Sequence, residues 1–202
     1  MILGNTRDET RGFIAPDSPR IRALTWDNLA ATMAPELRID VLPEWVVEQY
    51  RGRYPSWSPE QIFYGATTAA RSWRGQVIEA EARARAGSGT WVYQLDFGSR
   101  TDPNRGAFHT LDISLVFGTL AAAGSETGVS ADARAASAAL QDGFIALART
   151  GDPNHAALPR WPVYDLNRRA TLIVDARYSV VDDPRRWERE LFAPIPYIQP
   201  GS

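Results

Sequence analysis

Short apolar runs bounded by turn-forming residues recur along the chain and predict β-strands. Met1–Asn5 is apolar and ends in Gly and Asn, which is typical of a buried parallel strand. Thr90–Phe97 is rich in aromatic and β-branched residues and predicts a second strand. A third strand is predicted within Arg169–Val181, around the apolar core Thr171–Val174.

Helical signals fill the long interval between the first two strands. Short helices are predicted over residues 25–33 and 43–51, the second beginning with a proline that suits the first helical turn. Ser58–Gln61 has the form of a capping box, in which the serine and glutamine side chains each bond the other's backbone amide. A long helix is expected from there to Ala86, ended by Gly87–Gly89.

Two more helices are predicted in the second half of the chain. The first is capped by Ser130, ends at Gly151 and places apolar residues at helical spacing. The second runs from Asp182 to about Phe192. Strands that alternate with helices predict an α/β fold, although about three strands are few for a complete open sheet.

Composition narrows the classes of partner. The 202 residues carry a net charge of -2, which argues against a nucleic-acid or anionic-membrane surface. The apolar runs are too short to cross a bilayer, and the absence of cysteine excludes disulfides and thiolate metal sites. The chain opens on an apolar strand without the features of a signal peptide, so we expect sequence to be missing upstream.

Candidate chemistry is limited by the presence of only two histidines, His109 and His155. The sequence contains no HExxH motif, no GxxxxGK[ST] or GxGxxG phosphate loop and no Gly-x-Ser-x-Gly nucleophile motif. We therefore expect no metal and no cofactor. His155 follows Asn154 in a predicted turn, and a structural role is the simpler interpretation.

Glu9 and His109 are the remaining candidates for catalysis. Each follows a predicted strand, and an acid that precedes a histidine matches the order of these residues in α/β-hydrolase triads. Position alone is weak evidence, because charged loop residues are usually solvated. Asp8 is the alternative acid, and Asp112 either supports the histidine loop through hydrogen bonds or caps the following helix.

Five further segments narrow the interpretation of Glu9 and His109: Met1–Glu9, Trp91–Phe97, Gly106–Gly118, Gly151–Asn154 and Trp161–Tyr164. These segments resemble the type-B carboxylesterase family, which includes cholinesterases and para-nitrobenzyl esterases. The chain departs from the family pattern at Thr10 and Thr110, where glycine is usual, and at Leu115, which replaces an aromatic residue.

The resemblance implies the C-terminal part of an α/β-hydrolase fold, with an incomplete central sheet flanked by helices. Residues 1–202 would form the C-terminal portion of a single domain, with Glu9 as the triad acid and His109 as the base. The serine and the oxyanion-hole segment lie upstream in the family, so the isolated chain is expected to be inactive and to expose a sheet edge.

The implied activity is hydrolysis of small carboxylic esters without a cofactor. The implied partner is a missing N-terminal segment, or a complementary chain, that carries the serine; no nucleic acid or membrane is expected. Two alternatives remain open: a non-catalytic interaction protein of the same family, and a truncated gene product without function alone.

Overall fold

The computed structural model describes residues 1–198, so residues 199–202 of the predicted 1–202 domain lie outside the described part. A four-stranded sheet is flanked by helices, as an α/β fold requires. The strands are β1 (Ile2–Thr6), β2 (Trp91–Leu95), β3 (Ala170–Val174) and β4 (Tyr178–Asp182). The α-helices are α1 (Thr10–Phe13), α2 (Pro19–Arg22), α3 (Leu29–Met33), α4 (Pro43–Arg53), α5 (Pro59–Thr68), α6 (Arg74–Arg85), α7 (Leu111–Val116), α8 (Ala131–Thr150) and α9 (Arg186–Phe192).

The sheet has the order β1-β2-β3-β4, with β1, β2 and β3 parallel. The strand predicted around Thr171–Val174 is confirmed as β3, but its extent is wrong, because the segment up to Val181 holds a second strand, β4, that forms an antiparallel hairpin with β3. The turn at Asp175–Arg177 separates two segments that are both rich in β-branched residues. Composition alone therefore predicts one continuous strand where there are two. The parallel arrangement brings the carboxyl ends of β1 and β2 to the same edge, where the Glu9 loop leaves the sheet.

The long helix predicted after Ser58 is confirmed, with one irregularity. Ser58 and Gln61 form the predicted capping box, and the chain stays helical to Arg85. Between α5 and α6 lies a π-helical segment, Ala69–Trp73. Such segments add a residue to the helical turn and are frequent at functional sites.

Alternate residues of β2 face opposite layers, as the pleat of a strand dictates. Trp91, Tyr93 and Leu95 pack in a core with α7 and α8, whereas Val92 packs with Leu3 and α6. A third core joins α3, α4, α5 and α9. No helix within residues 1–198 is both long and apolar enough to cross a membrane.

Candidate active site

The acid loop begins where β1 ends, and its backbone holds a buried carboxylate. Glu9 is 7% exposed and occupies the N-cap position of α1. Its Oε1 accepts hydrogen bonds from Asn5 Nδ2 and from the Thr6 backbone amide, each at 3.3 Å. Both donors bond Oε1, so the second oxygen, Oε2, remains available.

Thr10, which stands where the family usually has glycine, anchors the acid loop to α5. Its side chain is fully buried, and its Oγ1 hydrogen-bonds the hydroxyls of Thr67 at 3.0 Å and Thr68 at 3.1 Å. The Thr10 amide donates to Thr68 Oγ1 at 3.2 Å. Two threonines on the facing helix thus satisfy the buried hydroxyl that threonine, unlike glycine, brings to this position.

Asp8, the alternative acid, joins the acid loop to the histidine loop. Its Oδ2 accepts from the Ala107 amide at 2.9 Å, and its own amide donates to Ala107 O at 2.9 Å. Gly106 has φ +56, and a Cβ there would lie 2.3 Å from Asp8 Oδ2. Only glycine suits this position, both for its conformation and for the close approach.

His109 and Glu9 are brought together across these two loops. His109 Nδ1 lies 2.6 Å from Glu9 Oε2, and since a carboxylate only accepts, Nδ1 carries the proton. The His109 side chain is 44% exposed, and no hydrogen bond to Nε2 is made by residues 1–198. The imidazole is held at one nitrogen and open at the other.

The electrostatic environment favours the protonated form of His109. The hydrogen bond to Glu9 raises its pKa above the ordinary value, partial burial opposes this, and the charges of Glu9 and Asp112 add to the increase. Arg71 acts in the opposite direction. A site that stabilises an imidazolium suits a base that must hold a proton during a reaction.

The backbone beside His109 is unusual at two positions. Thr110 has φ +73, a left-handed conformation that glycine adopts readily and a β-branched residue does not. Gly12 lies against the histidine loop, where an added Cβ would meet His109 Cβ at 2.6 Å.

Asp112, expected either to support the histidine loop or to cap the following helix, hydrogen-bonds a residue of β2. Tyr93 donates its hydroxyl to Asp112 Oδ2 at 2.7 Å, linking α7 to β2. Burial and the Asp112 carboxylate raise the pKa of Tyr93, so the phenol keeps its proton. His155 lies elsewhere, with Nε2 3.1 Å from Ala139 O on α8, which fits the structural interpretation.

Sequence reasoning did not identify Asn5 and Phe13 as part of this arrangement. Asn5 lies in β1 and donates to Glu9, while the Phe13 ring lies against the His109 imidazole with centroids 4.4 Å apart. The signal for Phe13 is its spacing, since it lies four residues, one helical turn, after Glu9. Within residues 1–198 no cluster of three His, Cys, Asp or Glu is suited to hold a metal.

The profile of the carboxylesterase family matches residues 58–190, most of the chain. The chain belongs to this family. The para-nitrobenzyl esterase of Bacillus subtilis (strain 168) is 28% identical over 196 residues, which cover 96% of this chain and 38% of that protein. The expected type-B carboxylesterase resemblance is therefore confirmed.

Solved carboxylesterase structures share the fold. The Geobacillus stearothermophilus carboxylesterase EST55 at pH 6.2 gives a TM-score of 0.78 at 28% identity, over 94% of this chain and 39% of that one. A structure described as PNB esterase gives 0.69 at 28% identity, over 94% and 37% of the two chains. The α/β-hydrolase fold is confirmed, and the chain spans less than two fifths of the length of these carboxylesterases.

Proposed function

We propose that this chain supplies the acid and the base of a serine carboxylesterase, with Glu9 and His109 as two members of a Ser-Glu-His triad. The observation that carries the proposal is the 2.6 Å contact between His109 Nδ1 and Glu9 Oε2. A buried carboxylate at one imidazole nitrogen and an open second nitrogen form the arrangement that activates a serine.

The chemistry assigns a task to each nitrogen of the imidazole. His109 Nε2 takes the serine proton as the serine oxygen attacks the ester carbonyl, and it returns that proton to the leaving alcohol. In deacylation Nε2 takes a proton from water and returns it to serine. Glu9 fixes the tautomer with the proton on Nδ1 and stabilises the imidazolium in both steps.

The serine and the oxyanion hole come from a separate segment in this proposal. No Gly-x-Ser-x-Gly sequence occurs among the 202 residues, and the chain matches only 38% of its Bacillus subtilis relative. Residues 1–202 are then the C-terminal portion of a single carboxylesterase domain. The chain alone is inactive, and its partners are this segment and a small-molecule ester, rather than nucleic acid or a membrane.

An exposed apolar groove supports the proposal that a further segment covers this face of the chain. It has a volume of about 580 Å³ and is lined by side chains of α7 and α8. Ile113, Phe117 and Ile145 on its walls are 50%, 72% and 46% exposed. Exposed apolar side chains gathered in one groove mark an interaction surface. Among the described strands β1 lies at an edge of the sheet, where a further strand could pair.

A chimera tests the proposal. This chain replaces the matching 38% of the Bacillus subtilis para-nitrobenzyl esterase, and turnover of p-nitrophenyl esters is measured. We expect turnover that falls about 10⁴-fold in Glu9→Gln and by at least as much in His109→Ala. His155→Ala is the matched control and retains activity.

A chimera that melts cooperatively yet turns over no faster than its His109→Ala variant would contradict the proposal. A smaller exchange keeps the test decisive if the full chimera does not fold. It transfers only residues 5–13 and 106–118 into the relative, and the same Glu9→Gln and His109→Ala comparisons apply.

A further inference from the structure

Phe13 packs directly on the imidazole of His109. Their ring centroids are 4.4 Å apart with an interplanar angle of 30°. Phe13 is 43% exposed, so this ring is not part of the interior of a core cluster. It ends α1, the helix that Glu9 precedes, and the same short segment therefore provides both the carboxylate and the ring that contact His109.

Arg71 lies over the same phenyl ring. Its guanidinium carbon is 4.2 Å from the Phe13 centroid, within the range of a cation–π interaction. Arg71 belongs to the π-helical segment Ala69–Trp73, and its side chain is 18% exposed. Glu36 Oε2 accepts from Arg71 Nη1 at 3.0 Å, which fixes the guanidinium on the ring.

We propose that Phe13 and Arg71 are positioning residues for His109, Phe13 fixing the plane of the imidazole and Arg71 fixing Phe13. The proposal rests on the proposed function, in which His109 is the base. Within residues 1–198 the imidazole has a hydrogen bond at Nδ1 only, and one hydrogen bond does not prevent rotation of the ring about that contact. The phenyl ring restricts this rotation and keeps Nε2 directed outward.

Arg71 also contributes charge to the site. The charged groups that act on His109 are Glu9 and Asp112, which favour the imidazolium, and Arg71, which opposes it. The positive charge of Arg71 therefore limits the increase in the pKa of His109. A base whose pKa rises too far holds its proton at neutral pH and is lost to catalysis.

Histidine NMR titration of this chain tests both roles. Arg71→Met removes the charge and should raise the pKa of His109, whereas Arg71→Lys should restore it toward that of the wild type. Phe13→Leu should remove the ring-current shift of the His109 carbon-bound protons and broaden the Nδ1 proton signal of His109. Phe13→Tyr should keep the ring-current shift and the narrow Nδ1 proton signal of the wild type.

Arg20→Met is the matched control. Arg20 bonds the other oxygen of Glu36 at 2.9 Å and lies over Phe63 rather than Phe13. This variant perturbs Glu36 similarly and should leave the His109 titration unchanged. His155 provides an internal reference in every sample. In the chimera, Phe13→Leu should lower kcat about tenfold at constant KM, because orientation rather than binding is lost.

Three results would contradict the inference. An unchanged His109 titration in Arg71→Met, or the same shift in Arg20→Met as in Arg71→Met, would overturn the role of Arg71. Unchanged His109 signals in Phe13→Leu would overturn the role of the phenyl ring. Failure of the proposed function can be told apart from failure of this inference. In that case the chimera would be inactive, while the His109 Nδ1 proton signal and the His109 titration of the chain would still respond to these variants as expected.

Discussion

Gly12→Ala is expected to destabilise the chain and displace the histidine loop. The added Cβ would lie 2.6 Å from His109 Cβ and 2.9 Å from the His109 backbone nitrogen. Carbon atoms in favourable contact are about 3.5–4.0 Å apart, so one loop must move by about 1 Å. Neither atom belongs to the flexible end of a side chain, so the clash cannot be relieved by a rotamer change.

The magnitude follows from comparing two opposing effects. Replacing glycine by alanine within a helix stabilises by up to about 1 kcal/mol, and Gly12 lies in α1 without a positive φ. Overpacking costs about 1–3 kcal/mol, so the net change in the free energy of unfolding is a loss of up to about 2 kcal/mol after the helix gain is subtracted. In the chimera, a displacement of about 1 Å of the proposed base should also lower turnover about 10²-fold.

Gly52→Ala is the matched control for this prediction. Gly52 lies in α4, has no positive φ and has nothing within 4 Å of an added Cβ. Alanine there should raise the free energy of unfolding by about 0.5–1 kcal/mol. Urea denaturation measures both variants, and a Gly12→Ala protein stabilised as much as Gly52→Ala would refute the geometry assigned to the His109 loop.

Three further predictions concern the same loops. The raised pKa of His109 implies stability that is complete below the unfolded value of about 6.5 and is lost as pH rises through the folded pKa; Glu9→Gln should flatten this dependence in thermal melts. Thr10→Val should lower the free energy of unfolding by about 1–3 kcal/mol, since the hydroxyls of Thr67 and Thr68 lose a buried partner; a neutral result in urea would contradict it. Tyr93→Phe should cost about 1.5–3 kcal/mol through the lost bond to Asp112, and an unchanged denaturation midpoint would count against that contact.

The sequence predicted the elements better than their pairing. The Ser58 capping box, the Ser130 cap and the Gly151 stop are local signals, and each is found where expected. The β3–β4 hairpin was missed because both strands share β-branched residues across a short turn. The π-helical segment Ala69–Trp73 leaves no mark in apolar spacing that distinguishes it from an ordinary helix.

The residues of the candidate site could be predicted from the sequence, whereas their contacts could not. Glu9 and His109 could be proposed from their flanking segments. The distance between them depends on β1 pairing with β2 across 84 intervening residues, a separation that no local pattern encodes. Thr10 and Thr110 were visible as departures from glycine. Their consequences, a buried hydroxyl cluster and a left-handed backbone, required the structure.

The pairing of Glu9 with His109 is most directly tested by the imidazole NMR spectrum of the wild-type chain and its Glu9→Gln variant. The account predicts a strongly downfield Nδ1 proton on His109 and a raised pKa, both lost in Glu9→Gln, with the His155 signals as internal reference. A His109 titration and Nδ1 proton signal that are the same in the two proteins would contradict it.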